Sequence, residues 1–440
     1  MSRWGAAILA VVCVTVLYAD LGRLVNPIGE KDLPGFPPGQ NDFSLVFVGA
    51  QALVAGVNPY RNDRKDLVAP FHSPWDVGGT MYKQVYPPTS MLILVPLAWI
   101  THDWMKAGRI WFHLSLLVLA GLAAIAWALL RRLGDPTLSP LWIAVLFVCL
   151  ALNVGVELGL ERGQLENLMA CMSWGALLLF VRRNYASAMF LIVGATAIKG
   201  YPALLAAGLG LLALDRRSWK RALAGGLLGL VVFLLPVARY LGDGVKAVLY
   251  RTGMFWDFWY NNSFRNVVNS VAPSWAGPGA RVLSLIALAA TGLCWWNARR
   301  AMRAGSPRFE LWLILFATCA MTTMIGVSTL SVCYDVILML PGALLVGLAH
   351  GRLAGELALS SRAAHALGAA LLVTIFLLFV YRIDLGKVHT SRSGLPAAGF
   401  GLVAWSLVAG AVAIRALMRR PSSTAATATS AKPNGITSTV

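Results

Sequence analysis

Residues 165–221 read LENLMACMSWGALLLFVRRNYASAMFLIVGATAIKGYPALLAAGLGLLALDRRSWKR. This stretch consists of apolar runs separated by short polar links, with the runs at residues 165–181, 187–198 and 203–214. Apolar runs that recur in this way are typical of helices that cross the hydrocarbon core of a bilayer, which is about 30 Å thick. The stretch therefore predicts a protein whose chain crosses a membrane several times.

The same pattern extends over the rest of the 440-residue chain, which is 58% hydrophobic and only 13% charged. Its mean hydropathy is +0.68. Further apolar runs lie at residues 4–18, 88–100, 110–130, 141–158, 222–237, 280–296, 311–325, 336–348, 363–381 and 400–418. We predict an all-α, polytopic transmembrane bundle with about 11 to 13 spans. We expect residues 1–420 to form one transmembrane domain and the Ser/Thr/Ala-rich residues 421–440 to form a disordered cytoplasmic tail.

The formal net charge of +18 comes from basic residues concentrated in the links between apolar runs. Clear examples are Arg131-Arg132, Arg182-Arg183, Arg299-Arg300 and Arg419-Arg420. This distribution follows the positive-inside rule for cytoplasmic loops and argues against a nucleic-acid partner. Both termini are therefore predicted to be cytoplasmic. The apolar residues after Arg3 resemble a signal peptide without a clean cleavage site, so we interpret them as a retained first helix.

The segment from residue 20 to residue 85 is predicted to be an outer loop rich in turn-forming residues. Within it, residues 43–54 are apolar but short, which indicates a helix lying at the membrane surface. An odd number of crossings must separate this loop from Arg131-Arg132, yet only two apolar runs intervene. Either the run at residues 88–100 is re-entrant or the arginine pair violates the charge rule, and the sequence leaves both open.

Polar residues concentrate on the predicted outer side in five local patterns. The first combines Asn41-Asp42-Phe43, Gly56-Val57-Asn58-Pro59-Tyr60 and Tyr86-Pro87-Pro88. The others are Glu161-Arg162-Gly163-Gln164-Leu165-Glu166-Asn167, Lys199-Gly200-Tyr201-Pro202, Tyr260-Asn261-Asn262-Ser263-Phe264-Arg265, and residues 328–341, which read STLSVCYDVILMLP. Each pattern alone is weakly informative, whereas the ordered set is moderately specific.

The order and content of these patterns resemble the membrane glycosyltransferases of family 87, which use polyprenyl-phosphate sugars and include mycobacterial mannosyltransferases. The resemblance implies a GT-C fold in a bacterial inner membrane, with an active site facing outward. It also implies an inverting transfer of a hexose, mannose in the named relatives, from a polyprenyl-phosphate-sugar donor. The acceptor would be a membrane-associated glycolipid or glycan.

The resemblance further implies roles for individual residues. Asp42 would act as the general base that accepts a proton from the acceptor hydroxyl. Contacts to the donor phosphate would come from Lys199, Arg265 and Arg162, because the leaving group gains negative charge. Contacts to the sugar or acceptor would come from Asn41, Gln164, Asn167, Asn261, Asn262, Tyr334 and Asp335.

Each of these residues also has a structural interpretation. Asp42 is a favourable N-cap for the helix that begins at Phe43. Lys199 could extend to lipid headgroups, and the two arginines could form ion pairs. The amides could make contacts between helices. Tyr60 and Tyr86 are predicted to be structural.

The late pattern departs from the family, because relatives often carry a His where this chain has Cys333 before Tyr334 and Asp335. A thiol cannot replace a cationic contact to phosphate, so Arg265 or Lys199 carries that contact or donor recognition differs. No DxD pair follows Asp42, so we predict no metal and no other cofactor.

Two further functions compete with transfer of one sugar. A transporter or flippase of polyprenyl-linked sugar or lipid would favour ionisable residues near mid-membrane and paired repeats, and the sequence has neither. A polymerase or ligase of surface polysaccharide usually places its largest outer loop late in the chain. Here the largest loops are the first one and the one after Val237.

Overall fold

The computed structural model describes residues 41–60, 86–133, 139–153, 156, 159–160, 162–215, 218–254, 263–328, 333–379, 383–384, 394–395 and 397–419. For Asn41, Asp42 and Tyr334 it describes the main chain. The predicted helix at residues 4–18, most of the first loop, Asn261, Asn262 and the predicted tail lie outside the described residues.

Helices make up nearly all of the described chain, which confirms the all-α prediction. The α-helices are α1 (Asn41–Val54), α2 (Pro88–Ile100), α3 (Trp104–Leu133), α4 (Leu141–Ala151), α5 (Glu166–Val181), α6 (Tyr185–Lys199), α7 (Ala203–Asp215), α8 (Trp219–Leu234), α9 (Leu241–Met254), α10 (Phe264–Val271), α11 (Ala276–Arg303), α12 (Phe309–Val327), α13 (Leu340–Leu348), α14 (His350–Glu356), α15 (Ser361–Phe379) and α16 (Ala397–Met418). Short 3-10 helices cover Leu235–Tyr240, Pro273–Trp275 and Cys333–Leu338. Strands β1 (Ile383–Asp384) and β2 (Gly394–Leu395) form a small antiparallel pair.

Five helical segments in the described chain are long and apolar enough to cross a membrane. They are Lys106–Leu133, Trp219–Ala247, Pro273–Arg303, Phe309–Val327 and Ala398–Met418. Several apolar helices of 10 to 17 residues accompany them. The chain is therefore a polytopic membrane protein, while its predicted total of about 11 to 13 spans stays a prediction.

Helix α2 is short for a membrane crossing. Its 13 residues extend about 20 Å, compared with a hydrocarbon core of about 30 Å. Its last two residues, Trp99 and Ile100, are strongly exposed apolar side chains. The length favours the re-entrant alternative for this run.

Helix α1 ends at Val54 as predicted, but it already includes Asn41, so the prediction that Asp42 is its N-cap is wrong. The apolar side of α1 packs against protein. Phe43 and Phe47 are fully buried, and their rings stack at a centroid distance of 5.5 Å. The Phe43 ring also stacks on Trp111 of α3 at 6.4 Å. This packing attaches the start of α1 to the bundle, and its position at the membrane surface stays a prediction.

Two apolar runs are divided differently from the prediction. The run at residues 141–158 is interrupted after Ala151, because the Asn153 amide donates to the Leu378 carbonyl (2.9 Å) and its oxygen accepts from the Val156 amide (3.2 Å). The run at residues 336–348 begins as a 3-10 helix and becomes α13 at Leu340, with Pro341 in the first turn. Proline is tolerated there because the first-turn amides have no partner within the helix.

Helices α6 and α8 pack closely through small residues. Ala222, Gly225 and Gly229 are the buried residues of α8. A Cβ atom built on Gly225 would lie 2.0 Å from the Ala186 carbonyl oxygen, which belongs to the backbone of α6. Membrane helices associate through such small-residue faces, since lipid tails provide little hydrophobic driving force between them.

We expect Gly225→Ala to destabilise the bundle by about 1–3 kcal/mol, because a backbone clash cannot be relieved by a side-chain rotation. The adjacent Gly226→Ala is the matched control, since nothing lies within 4 Å of a Cβ built there. Thermal unfolding in detergent measures both variants. Equal melting temperatures for the two variants would contradict the proposed close contact.

Candidate active site

Several helix ends meet at one end of the bundle. Helix α5 begins there at Glu166, and α6 ends there at Lys199. Gly200 adopts a left-handed conformation (φ 79°), and its amide donates to the Thr196 carbonyl, which closes α6. Glycine suits this position because it carries no Cβ. The 3-10 helix Cys333–Leu338 approaches the same place and contributes Asp335.

A buried ionic network joins these elements. The Lys199 ammonium pairs with the Glu166 carboxylate and lies 3.3 Å from Asp335 Oδ1. The side chains are 21% exposed for Lys199, 2% for Glu166 and 0% for Asp335. The lysine therefore lies on the open side of two enclosed carboxylates. Such charges are costly in a membrane protein unless they are paired, so the three groups depend on one another.

Tyr201 extends the network from the turn after α6. Its hydroxyl donates to Asp335 Oδ2 at 3.1 Å, and its ring lies 5.6 Å from the Lys199 ammonium. Burial raises the pKa of the Tyr201 phenol, with a further contribution from the charge on Asp335. The phenol therefore stays protonated and remains a donor.

The start of α1 lies against the loop before α5. The Phe43 amide donates to the Arg162 carbonyl at 3.0 Å. Trp111 Nε1 donates to the Gly163 carbonyl, also at 3.0 Å. Gly163 has a φ of 65°, and a Cβ built on it would lie 2.6 Å from the Phe43 Cβ. The main chain at Asp42 is therefore held beside the loop that leads into Glu166.

The beginning of α2 packs on the end of α6. The Thr89 hydroxyl donates to the Ala197 carbonyl, and the Ser90 hydroxyl donates to the Ile198 carbonyl at 2.7 Å. These bonds satisfy carbonyls of the last helical turn, which lack partners within the helix. Just before α2, the Tyr86 hydroxyl accepts from the Gln164 amide at 3.3 Å. The start of α2 and the preceding Tyr86 thereby connect the end of α6, which carries Lys199, to the loop before α5.

Tyr60 anchors the end of the first loop. Its amide donates to Asn58 Oδ1 (3.0 Å), and its hydroxyl donates to the Tyr86 carbonyl (2.6 Å). Burial raises the pKa of the Tyr60 phenol, as does the nearby Asp243. Asp243 in turn accepts from the Asn58 amide at 2.8 Å. These contacts agree with the structural roles predicted for Tyr60 and Tyr86.

Two polar atoms at the start of α5 have no hydrogen-bond partner within the described part of the chain. They are Glu166 Oε2 and Asn167 Nδ2, in residues that are 1% and 3% exposed. Buried polar atoms are almost always paired in native proteins. One acceptor and one donor are therefore available here for a water molecule or a substrate hydroxyl.

The sequence model of glycosyltransferase family 87 matches residues 85–324, more than half of the chain. The chain belongs to glycosyltransferase family 87. The match begins just before Tyr86, ends within α12, and includes Glu166 and Lys199. No curated protein matches the chain. Family membership establishes a membrane-embedded glycosyltransferase, and it implies lipid and sugar substrates.

The predicted site residues of this glycosyltransferase are distributed unevenly. Gln164, Asn167, Lys199 and Asp335 occupy one end of the bundle, together with the main chain at Asn41, Asp42, Arg162 and Tyr334. The glycosyltransferase also presents Arg265 near this end, on α10, where it is exposed. The neighbouring Phe264 is buried, and a Cβ built on Gly326 near the end of α12 would lie 2.3 Å from its ring.

Sequence reasoning missed Glu166 and Tyr201 as members of the site. The sequence does contain one indication for Glu166, because a carboxylate at the start of an apolar run is expected to need a charged or hydrogen-bonding partner. The sequence does not identify that partner, because the contacting residues are distant along the chain. Glu166 lies 33 positions from Lys199, and Lys199 lies 136 positions from Asp335. No group of three metal-ligating side chains occurs among the described residues of the glycosyltransferase. The prediction that no metal takes part stays a prediction.

Proposed function

We propose that this family 87 glycosyltransferase transfers a hexose, mannose by resemblance, from a polyprenyl-phosphate sugar to a membrane-associated glycolipid or glycan. The reaction inverts the anomeric configuration and takes place at the outer face of a bacterial inner membrane. The observation that carries the proposal is the hydrogen bond from the Phe43 amide to the Arg162 carbonyl at 3.0 Å. This bond supports it because it brings the Asp42 main chain to the end of the bundle where the polar residues converge.

Inversion by single displacement requires two groups on opposite sides of the anomeric carbon. In the proposal, Asp42 accepts the proton of the acceptor hydroxyl while that oxygen forms the new glycosidic bond. The bond to the lipid phosphate breaks in the same step, and the phosphate leaves with its electron pair. Fixed positive charges on the donor side then stabilise the leaving group.

The donor phosphate has three candidate cations. Lys199 is already balanced by two carboxylates, so a phosphate that approaches it meets little net positive charge. We therefore assign the main phosphate contacts to Arg162 and Arg265. Lys199 is assigned a secondary contact, which its exposed fraction of 21% permits.

The sugar contacts are assigned by available hydrogen-bonding groups. Asn167 Nδ2 is a buried donor without a described partner, which suits a sugar hydroxyl. Asp335 already accepts from Lys199 and Tyr201, so it would act on substrate mainly by positioning those two side chains. Asn41, Gln164, Asn261, Asn262 and Tyr334 complete the proposed set of sugar and acceptor contacts.

A donor-replacement assay tests the proposal. Purified enzyme in lipid nanodiscs receives either radiolabelled polyprenyl-phosphate mannose or the corresponding labelled nucleotide sugar, together with a membrane glycolipid extract. We expect label to enter the glycolipid only from the lipid-linked donor. The new linkage should have the opposite anomeric configuration to the donor, as measured by NMR of the product.

Other outcomes would assign a different activity. Transfer from the nucleotide sugar would contradict the proposed donor, and retention of configuration would exclude a single displacement. Movement of the lipid-linked sugar across liposomes without a new glycosidic bond would indicate a flippase. Products that grow by many units would indicate a polymerase, and transfer of a preassembled chain would indicate a ligase.

A further inference from the structure

A second polar region lies at the opposite end of the bundle. Helix α5 starts at the candidate active site and ends at Val181, and α12 starts at Phe309 and ends toward that site. The 16 residues of α5 separate the two ends by about 24 Å. Around Val181 and Phe309 the helix ends enclose a cavity of about 380 Å³. This volume is within the range of small-molecule sites, about 300–1,000 Å³.

The cavity is lined by three arginines and one acidic residue. Arg132 comes from the last turn of α3, Arg183 from the turn after α5, and Arg352 from α14. The Arg132 guanidinium pairs with Glu310 at 2.9 Å. Arg183 and Arg352 have no carboxylate partner among the described residues, and Arg352 Nη2 donates to the Pro307 carbonyl at 2.9 Å. Two positive charges of the lining are therefore not balanced by a described acidic group.

Arg183 occupies a backbone position at which glycine is favoured. Its φ is 63°, its amide donates to the Phe180 carbonyl, and the Asn184 amide donates to the Leu179 carbonyl. This pair of bonds is the helix-ending motif whose left-handed residue is usually glycine. The backbone conformation therefore favours glycine and does not explain an arginine at this position. The positive charge that Arg183 adds to the cavity lining would explain it.

We propose that this cavity binds the phosphate group of an anionic phospholipid headgroup. Guanidinium groups form paired, charge-assisted hydrogen bonds with phosphate. Basic pockets between helix ends are suited to lipid headgroups, because the acyl chains can lie against the apolar sides of the same helices. In this protein Arg132 lies in the last turn of the long apolar helix α3, which is one of the candidate membrane spans. The site is separate from the candidate active site at the other end of α5.

Lipid-dependent thermal stability tests the proposal on the full-length protein in detergent. Phosphatidylglycerol, phosphatidylcholine or inorganic phosphate is added to the wild type and to the variants Arg183→Gly, Arg183→Asn and Arg221→Gln. Arg221 is the matched control, because it is exposed near the start of α8 and is not part of the cavity lining. Glycine and asparagine both tolerate a left-handed backbone, so both Arg183 variants should retain the wild-type melting temperature without lipid.

We expect phosphatidylglycerol to raise the melting temperature of the wild type and of Arg221→Gln. Both Arg183 variants should bind it about tenfold more weakly, since one charge-assisted contact is lost. An unchanged response in the Arg183 variants would overturn the proposal, as would an equal response to phosphatidylcholine. A full response to inorganic phosphate alone would also overturn the lipid assignment and would identify a soluble phosphate compound as the ligand.

Discussion

The Asp42→Asn variant is expected to transfer the sugar about 10²- to 10⁴-fold more slowly than the wild type, the usual contribution of a general base. The carboxamide cannot accept the proton of the acceptor hydroxyl at neutral pH, although it has nearly the same shape. Single-turnover transfer from a radiolabelled lipid donor measures the rate. Donor affinity should change little, because Asp42 acts on the acceptor in the proposed mechanism.

This substitution also separates catalysis from a structural contribution to α1. The helix includes Asn41, so Asp42 lies in its first turn and is not the N-cap that the sequence predicted. A carboxylate there is favoured by the helix N-terminus by about 0.3–1 kcal/mol, which both Asp42→Asn and Asp42→Ala remove. If Asp42→Asn lost only this small stability and retained wild-type turnover, Asp42 would be a structural residue and another base would be required.

Replacing Lys199 by Met should destabilise the folded protein by about 3–5 kcal/mol, the usual result when one partner of a buried ion pair is removed. The loss is expected because Glu166 and Asp335, at 2% and 0% side-chain exposure, would remain enclosed without their shared cation. Thermal unfolding in detergent, followed by size-exclusion chromatography with fluorescence detection, measures the change. Lys199→Arg retains the charge and should lose much less.

A compensated variant distinguishes the two roles considered for Lys199. Combining Lys199→Met with Glu166→Gln and Asp335→Asn removes all three charges and should recover most of the lost stability. If the lysine only balances the carboxylates, this triple variant should bind the lipid donor normally. Weak donor binding in a stable triple variant would support a direct phosphate contact. Full stability of the single Lys199→Met variant would contradict a charged network.

Most helices were predictable because each apolar run had to satisfy its own backbone hydrogen bonds in lipid. The start of α7 at residue 203 and the end of α16 at Met418 were predicted correctly. The break after Ala151 was not, since it depends on a hydrogen bond between Asn153 and Leu378, 225 positions apart. A local pattern does not contain that partner.

The candidate site was partly predictable for a related reason. Polar patterns at the ends of apolar runs indicated that Gln164, Asn167, Lys199 and Asp335 belong to one side of the membrane. Their grouping agrees with the structure, yet the sequence did not indicate that Lys199 is held by Glu166 and Asp335. The resemblance to the family likewise implied a general base at Asp42, whereas the position of the Asp42 main chain beside Arg162 depends on packing of α1.

Composition and the spacing of apolar runs were sufficient to establish a helical membrane protein. Lipid offers no hydrogen bonds, so each spanning segment must form its backbone hydrogen bonds within its own helix. The charge partners and the basic cavity at the far end of α5 required the tertiary structure. Electrostatic attraction and close packing act between residues that are distant along the chain. Such residues come into contact only after the helices have assembled.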